Sequence, residues 1–164
     1  MSAPPDEVDR IVAEWSAARP DLDFTPLRVL SRVMRLGKRL NKLRQIAFAE
    51  ADLESWEFDV LAALRRAGAP FQLTPKALLE ANGVSSGTMT NRIDRLVERG
   101  LVERRTDPND GRGVLVRMTP LGIRHVDTAI TVLVDEETEL LAGLSEAEQA
   151  RLANLLRKLR YGFD

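Results

Sequence analysis

Apolar positions recur along this chain at helical spacing in six or seven separate runs, and only one short region alternates like a strand. Val8, Ile11, Val12 and Trp15 share one side of a helix predicted over residues 6–18, which Pro20 ends. A long helix follows over residues 26–50, with Leu30, Val33, Leu36 or Gly37, Leu40, Leu43 and Ala47 along one side. A third helix is predicted over residues 55–67, with Ser55 as its N-cap and Gly68 and Pro70 closing it. Thr74-Pro75 sets a cap before a proline at the first helical position. That helix runs to about Ala81, and Gly83 suits the left-handed residue after its end. Ser85 or Ser86 caps the next helix, which stops at Gly100.

Residues 101–105 and 114–118 read as strands joined by TDPNDGRG, whose Asp-Pro and Asp-Gly steps favour turns. Thr119-Pro120 opens another long helix to about residue 142, and Ser145 opens a last one striped with Leu152, Leu155, Leu156 and Leu159. The predicted fold class is mainly α with a small β-hairpin: a winged helix-turn-helix flanked by N- and C-terminal dimerisation helices. The expected organisation is a single domain over residues 1–164. Residues 52–120 would be its DNA-binding core, and residues 5–50 and 120–163 its dimerisation scaffold.

The helix after Ser86 carries the candidate chemistry. Met89, Ile93, Leu96 and Val97 define a buried face, and Thr88, Asn91, Arg95 and Arg99 lie opposite, flanked by Thr90 and Arg92. Asparagine and arginine can contact adenine and guanine edges bidentately, and threonine can meet a thymine methyl. Ser85 and Ser86 sit where free backbone N–H groups hold a phosphate. Thr74 and Lys76, at the start of the first helix of the pair, join the DNA-contacting set. Arg112, expected at the Gly-flanked tip of the hairpin, is placed to reach a minor groove or phosphates. Its other role is a salt bridge with Asp110 or Asp107 that supports the wing. A merely solvated helix face is the competing reading of the whole surface.

Charge at first argues against nucleic acid, because the net formal charge is −1. The total conceals segregation. Residues 28–48 carry Arg28, Arg32, Arg35, Lys38, Arg39, Lys42 and Arg44 with no acid, and residues 126–150 carry only acids among their charged side chains. Basic groups that share a surface can bind phosphates whatever the total. The arginine stripe is otherwise a solvated face. No cysteine and one histidine, His125, leave no thiolate or multi-histidine metal site, so no metal, cofactor or catalytic residue is expected. His125 reads as structural, with pH sensing as the alternative. No apolar run reaches the ~18 residues of a membrane span. The opening MSAPPDEVDR lacks a secretory pattern, so the cytoplasm is expected.

The run SSGTMTNRIDRLVERGLVERRTDPNDGRGVLVRMTPLG strongly resembles the MarR family of bacterial transcription regulators. The resemblance lies in the recognition helix, the GLVERR strand, the Asp110-to-Arg112 wing and the TPLG helix start. It implies a homodimer on a pseudo-palindromic operator of double-stranded DNA, acting as a repressor. Dimerisation has separate support: leaving Trp15, Val126, Ile130, Leu133, Leu152, Leu155 and Leu159 in water would cost roughly 1.5–3 kcal/mol per large side chain.

Within the family, VDRIVAEW, WEFDVLAALRRAG and TNRIDRL look most like the urate-responsive branch of PecS- and HucR-like regulators. That resemblance implies a small anionic ligand and a ligand-binding set of Trp15, Asp59, Arg66 and Arg92. Another carboxylate, such as trans-aconitate or citrate, or a phenolic ligand is the alternative for the same four residues, and a ligand-independent DNA binder is a further one. Packing is the alternative role for Trp15, and helix anchoring for Asp59 and Arg66. The remaining rivals are an enzyme and a winged helix that binds protein.

Overall fold

Residues 4–160 are described in a computed structural model, and they form seven helices and a three-stranded antiparallel sheet. In chain order these are α1 (Glu7–Ala18), α2 (Thr25–Glu50), α3 (Ser55–Arg66), β1 (Gln72–Leu73), α4 (Pro75–Asn82), α5 (Ser86–Glu98), β2 (Val102–Asp107), β3 (Asp110–Met118), α6 (Pro120–Leu141) and α7 (Glu146–Arg160). The chain divides into two compact units, one ending at Arg44 and the other beginning at Gln45. The scaffold segment expected over 120–163 runs past residue 160, so its last positions lie outside the described residues.

In the first unit, charge holds α1 to α2. Asp6 caps α1 by accepting the Val8 and Asp9 N–H groups at 2.8 and 3.2 Å, and Asp9 accepts the Asp6 N–H in return at 3.0 Å. Arg32 then donates to both Asp6 oxygens and to Asp9, and Arg35 pairs with Glu7. The Arg32 hydrogen bonds are the main reason the Asp6 carboxyl is held down at about 2. Two members of the basic stripe are thus already paired with acids. Trp15 stands half exposed and stacks on Phe24, with ring centroids 5.8 Å apart.

The second unit contains the larger core. Phe48 and Phe58 stack at 4.0 Å, and Val60, Leu61, Leu64, Leu78, Ile93, Leu96 and Val116 are fully buried. Its sheet has the order β1-β3-β2. β1 was not expected: at two residues it is too short to show a period, and it exists only because Gln72 and Leu73 pair with Arg117 and Val116.

The hairpin also differs from expectation. The strands extend to Asp107 and Asp110, so only Pro108 and Asn109 form the turn, with an irregularity between Thr106 and Asp107. Arg112 therefore lies on β3 and not at a loop tip.

Two contacts attach α6 to the turn between α5 and β2. The Thr119 hydroxyl donates to the Gly100 carbonyl at 2.7 Å and accepts the Gly122 N–H at 3.1 Å. A Cβ on Gly122 would stand 2.2 Å from the Leu101 carbonyl oxygen, so the helix packs this closely only because that residue has no side chain. Farther along, the His125 Nδ1 lies 2.7 Å from the Ala51 carbonyl. That oxygen can only accept, so Nδ1 carries the proton. α7 buries none of its residues: Leu152, Leu155 and Leu156 are all exposed.

Candidate nucleic-acid interface

Local sequence explains the helix pair. Thr74 accepts the Ala77 N–H at 3.1 Å and caps α4, with Pro75 behind it. Gly83 ends α4 at φ +62°, in the left-handed conformation that permits the sharp turn. Ser85 caps α5, accepting the Thr88 N–H at 3.2 Å, and its hydroxyl also meets the Thr88 hydroxyl at 2.9 Å. Met89, Ile93 and Leu96 anchor α5 in the core, each no more than 1% exposed. Val97, expected on the same face, lies at its edge and is 36% exposed.

The polar side of α5 has two different halves. Ser85, Ser86, Thr88, Thr90 and Asn91 are exposed, with Thr90 returning its hydroxyl to the Ser86 carbonyl at 3.0 Å. Asn91 has no side-chain partner among the described residues. The C-terminal half is engaged by the start of α3. Arg95 pairs with Glu54 at 3.1 Å and lies over the Trp56 ring at 4.6 Å. The half-buried Arg92 lies over the same ring at 5.7 Å. Arg99 donates to the buried Glu57 at 2.6 Å and to both the carbonyl and the carboxylate of Asp52. The hydrogen bond that Arg99 donates to Glu57 is the main reason its guanidinium is raised above its usual range. Together Asp52, Leu53, Glu54, Glu57, Arg95 and Arg99, with Ala49, line an open cleft of about 570 Å³.

Glu54, and not Ser55, is the N-cap residue of α3, and the Glu57 carboxylate accepts the Glu54 N–H at 2.9 Å. Glutamate is not a preferred N-cap residue, so the sequence favoured the neighbouring Ser55. That Glu57 also receives Arg99 was not readable in the sequence, because the two residues are 42 positions apart.

The wing is tied to the helix as well. Arg104 of β2 pairs with Asp94 of α5 at 2.6 Å. Arg112 is exposed, and Asp110 accepts its backbone N–H at 3.1 Å; among the described residues its side chain makes no salt bridge with Asp110 or Asp107. Lys76 is exposed at the start of α4. Asp59 and Arg66 are both exposed on α3, with no ion pair among the described residues, whereas the neighbouring Arg65 pairs with Asp127.

Residues 51–113 match the MarR family profile, the segment that holds α3, α4, α5 and most of the hairpin. Over nearly its whole length the chain also aligns with the transcriptional regulator PecS of Dickeya dadantii. The two are 33% identical over 153 residues, 93% of this chain and 92% of PecS. The chain belongs to the MarR family. Its curated relatives are transcriptional regulators and not enzymes. Among solved structures, a MarR variant from Escherichia coli complexed with operator DNA is similar with a TM-score of 0.67 and 31% identity. The match covers 84% of this chain and 99% of that one. BpsR of Bordetella bronchiseptica, whose DNA binding is regulated by 6-hydroxynicotinic acid, is similar with a TM-score of 0.65 and 29% identity, over 80% and 92% of the two chains. Among the described residues, no helix of this MarR-family protein is long and apolar enough to cross a membrane.

Proposed function

We propose that this protein is a homodimeric repressor that binds a pseudo-palindromic operator through α5 and is released by a small anionic ligand. The observation that carries the reading is the open half of α5. Its first two turns present Thr88, Thr90 and Asn91 to solvent while Met89, Ile93 and Leu96 hold the helix rigidly in the core. A polar, base-competent edge on a fixed helix is what major-groove reading needs. The similarity to a regulator complexed with operator DNA supports it.

In this reading Ser85, Ser86, Thr74 and Lys76 approach phosphates, Thr88, Thr90, Asn91 and Arg92 face the groove, and Arg95 adds positive charge. Arg112 reaches the minor groove or its backbone from the wing. Residues 52–120 act as the DNA-binding core of a single domain. The scaffold segments 5–50 and 120–163 pair two copies, which would cover the exposed leucines of α7. The protein works in the cytoplasm, where its DNA is.

The ligand response is assigned to Trp15, Asp59, Arg66 and Arg92. The exposed Arg66, with no ion pair among the described residues, and the ring-bound Arg92 are suited to an anion. Urate is the first ligand to test, and other carboxylates such as trans-aconitate and citrate are second. A gel shift with the DNA upstream of the protein's own gene tests the reading, with and without urate. A retarded complex that urate releases is expected. No retention of specific over competitor DNA would overturn it.

A further inference from the structure

We infer that Glu54, Trp56 and Glu57 of α3 set the DNA specificity of this protein by withdrawing Arg95 and Arg99 from the base-reading edge of α5. The inference rests on the operator-binding reading above and narrows which residues do the reading. At 3.6 residues per turn, Thr88, Asn91, Arg92, Arg95 and Arg99 fall on one stripe of α5. By composition alone the arginines would read guanine from that stripe, because arginine on guanine is the commonest specific contact.

The structure divides the stripe. Arg99 is bound to a carboxylate that is 1% exposed and to Asp52, so leaving would strand a buried charge. Arg95 is held more loosely, by Glu54 on one side and the Trp56 ring on the other. A second observation agrees. The only acids of α5, Asp94 and Glu98, lie exposed in this same C-terminal half; Asp94 is paired with Arg104, and Glu98 would repel phosphates. Residues 86–91 contain no acid and, among the described residues, no polar side chain hydrogen-bonded to another element.

Base reading from α5 is therefore confined to residues 86–92, with Arg95 and Arg99 withheld. Asn91 is directed at an adenine and Thr88 at a thymine methyl, so the half-site contains an A·T step and no guanine chosen by Arg95. Arg95 contributes charge only.

Selection from a randomised double-stranded DNA pool tests this with the full-length wild type, Asn91→Ala, Arg95→Ala, and the double variant Glu54→Gln/Trp56→Leu. Each is first checked by circular dichroism and sedimentation to be folded and in the wild-type assembly. The wild type is expected to enrich a palindrome with adenine at one position per half-site. Asn91→Ala should lose that preference by about tenfold or more. Arg95→Ala should enrich the same motif as wild type, with weaker binding and a shallower salt dependence.

The double variant releases Arg95 from both restraints and should gain a guanine preference at a position flanking the wild-type motif. Adding Arg95→Ala should abolish that gain. Loss of a guanine preference in Arg95→Ala would overturn the inference while leaving operator binding intact, as would a double variant with wild-type preferences. If the wild type enriches no motif at all, the operator-binding reading fails first. A merely structural role for Glu54 and Trp56 would change affinity or melting temperature without changing which bases are enriched.

Discussion

The buried carboxylate of Glu57 accepts the guanidinium of Arg99 at 2.6 Å across 42 residues of sequence, joining the first turn of α3 to the C-cap of α5. The same oxygen accepts the N–H of Glu54, so one atom both caps a helix and positions another. Arg99→Ala leaves that charge enclosed without its partner. A stability loss of about 2–3 kcal/mol is expected in urea unfolding, below the range for fully enclosed pairs because Arg99 keeps partial contact with water. Arg99→Lys should recover only part of it, since lysine cannot reach Glu57 and Asp52 with one planar fork.

Gly122 tests the attachment of α6. A methyl group there would meet the Leu101 carbonyl oxygen at 2.2 Å, and backbone cannot swing aside as a flexible side chain can. Gly122→Ala should destabilise the protein by about 1–3 kcal/mol in thermal unfolding. Gly143, with open space around its Cβ position, should accept alanine with little change.

The acid side of the pH profile follows from Asp6. Its folded carboxyl is held at about 2, below the ordinary aspartate value of 3.8, chiefly because Arg32 hydrogen-bonds the charged form. A depressed carboxylate pKa means the stabilisation is complete above about pH 4 and is lost as the pH falls through about 2. Carbon-detected NMR of the Asp6 carboxyl should show that midpoint, and in Arg32→Ala the midpoint should rise toward the ordinary range.

Exposed leucines on α7 bear on assembly. Leu155 and Leu156 are 53% and 44% exposed in one copy of the chain, and no residue of that helix is buried. Replacing both by aspartate should leave the α3–α5 core folded by circular dichroism while shifting sedimentation from dimer to monomer. Operator affinity should then fall by at least about tenfold, since one half-site contact must act alone.

The ligand assignment separates two kinds of variant. Arg92→Ala is expected to weaken operator binding by about tenfold, near 1.4 kcal/mol, in a gel shift. Trp15→Ala and Arg66→Ala should retain operator affinity within about threefold while requiring more urate for release. Normal release in both would remove them from the ligand set.

Much of this architecture was legible in the sequence where the cause is local. Thr74-Pro75, Gly83, Ser85 and Thr119-Pro120 act on backbone within four residues of themselves, and each begins or ends the helix its chemistry requires. Spacing alone likewise placed Met89, Ile93 and Leu96 in the core. Ser55 and Arg112 were read less well. The cap of α3 is the preceding Glu54, and the wing strands run on through residues that favour turns because each pairs across the hairpin.

Residue pattern and capping chemistry by themselves determined the order of helices, the position of the hairpin and the face of α5 that enters the core, because those depend on contacts within a few residues. Tertiary structure alone decided that β1 exists, that Gly122 must stay bare, and which partners hold Arg95 and Arg99. Those outcomes depend on partners such as Arg117, Leu101, Glu54 and Glu57, brought close by the fold from elsewhere in the chain, and helical periodicity carries no record of a neighbour on another element.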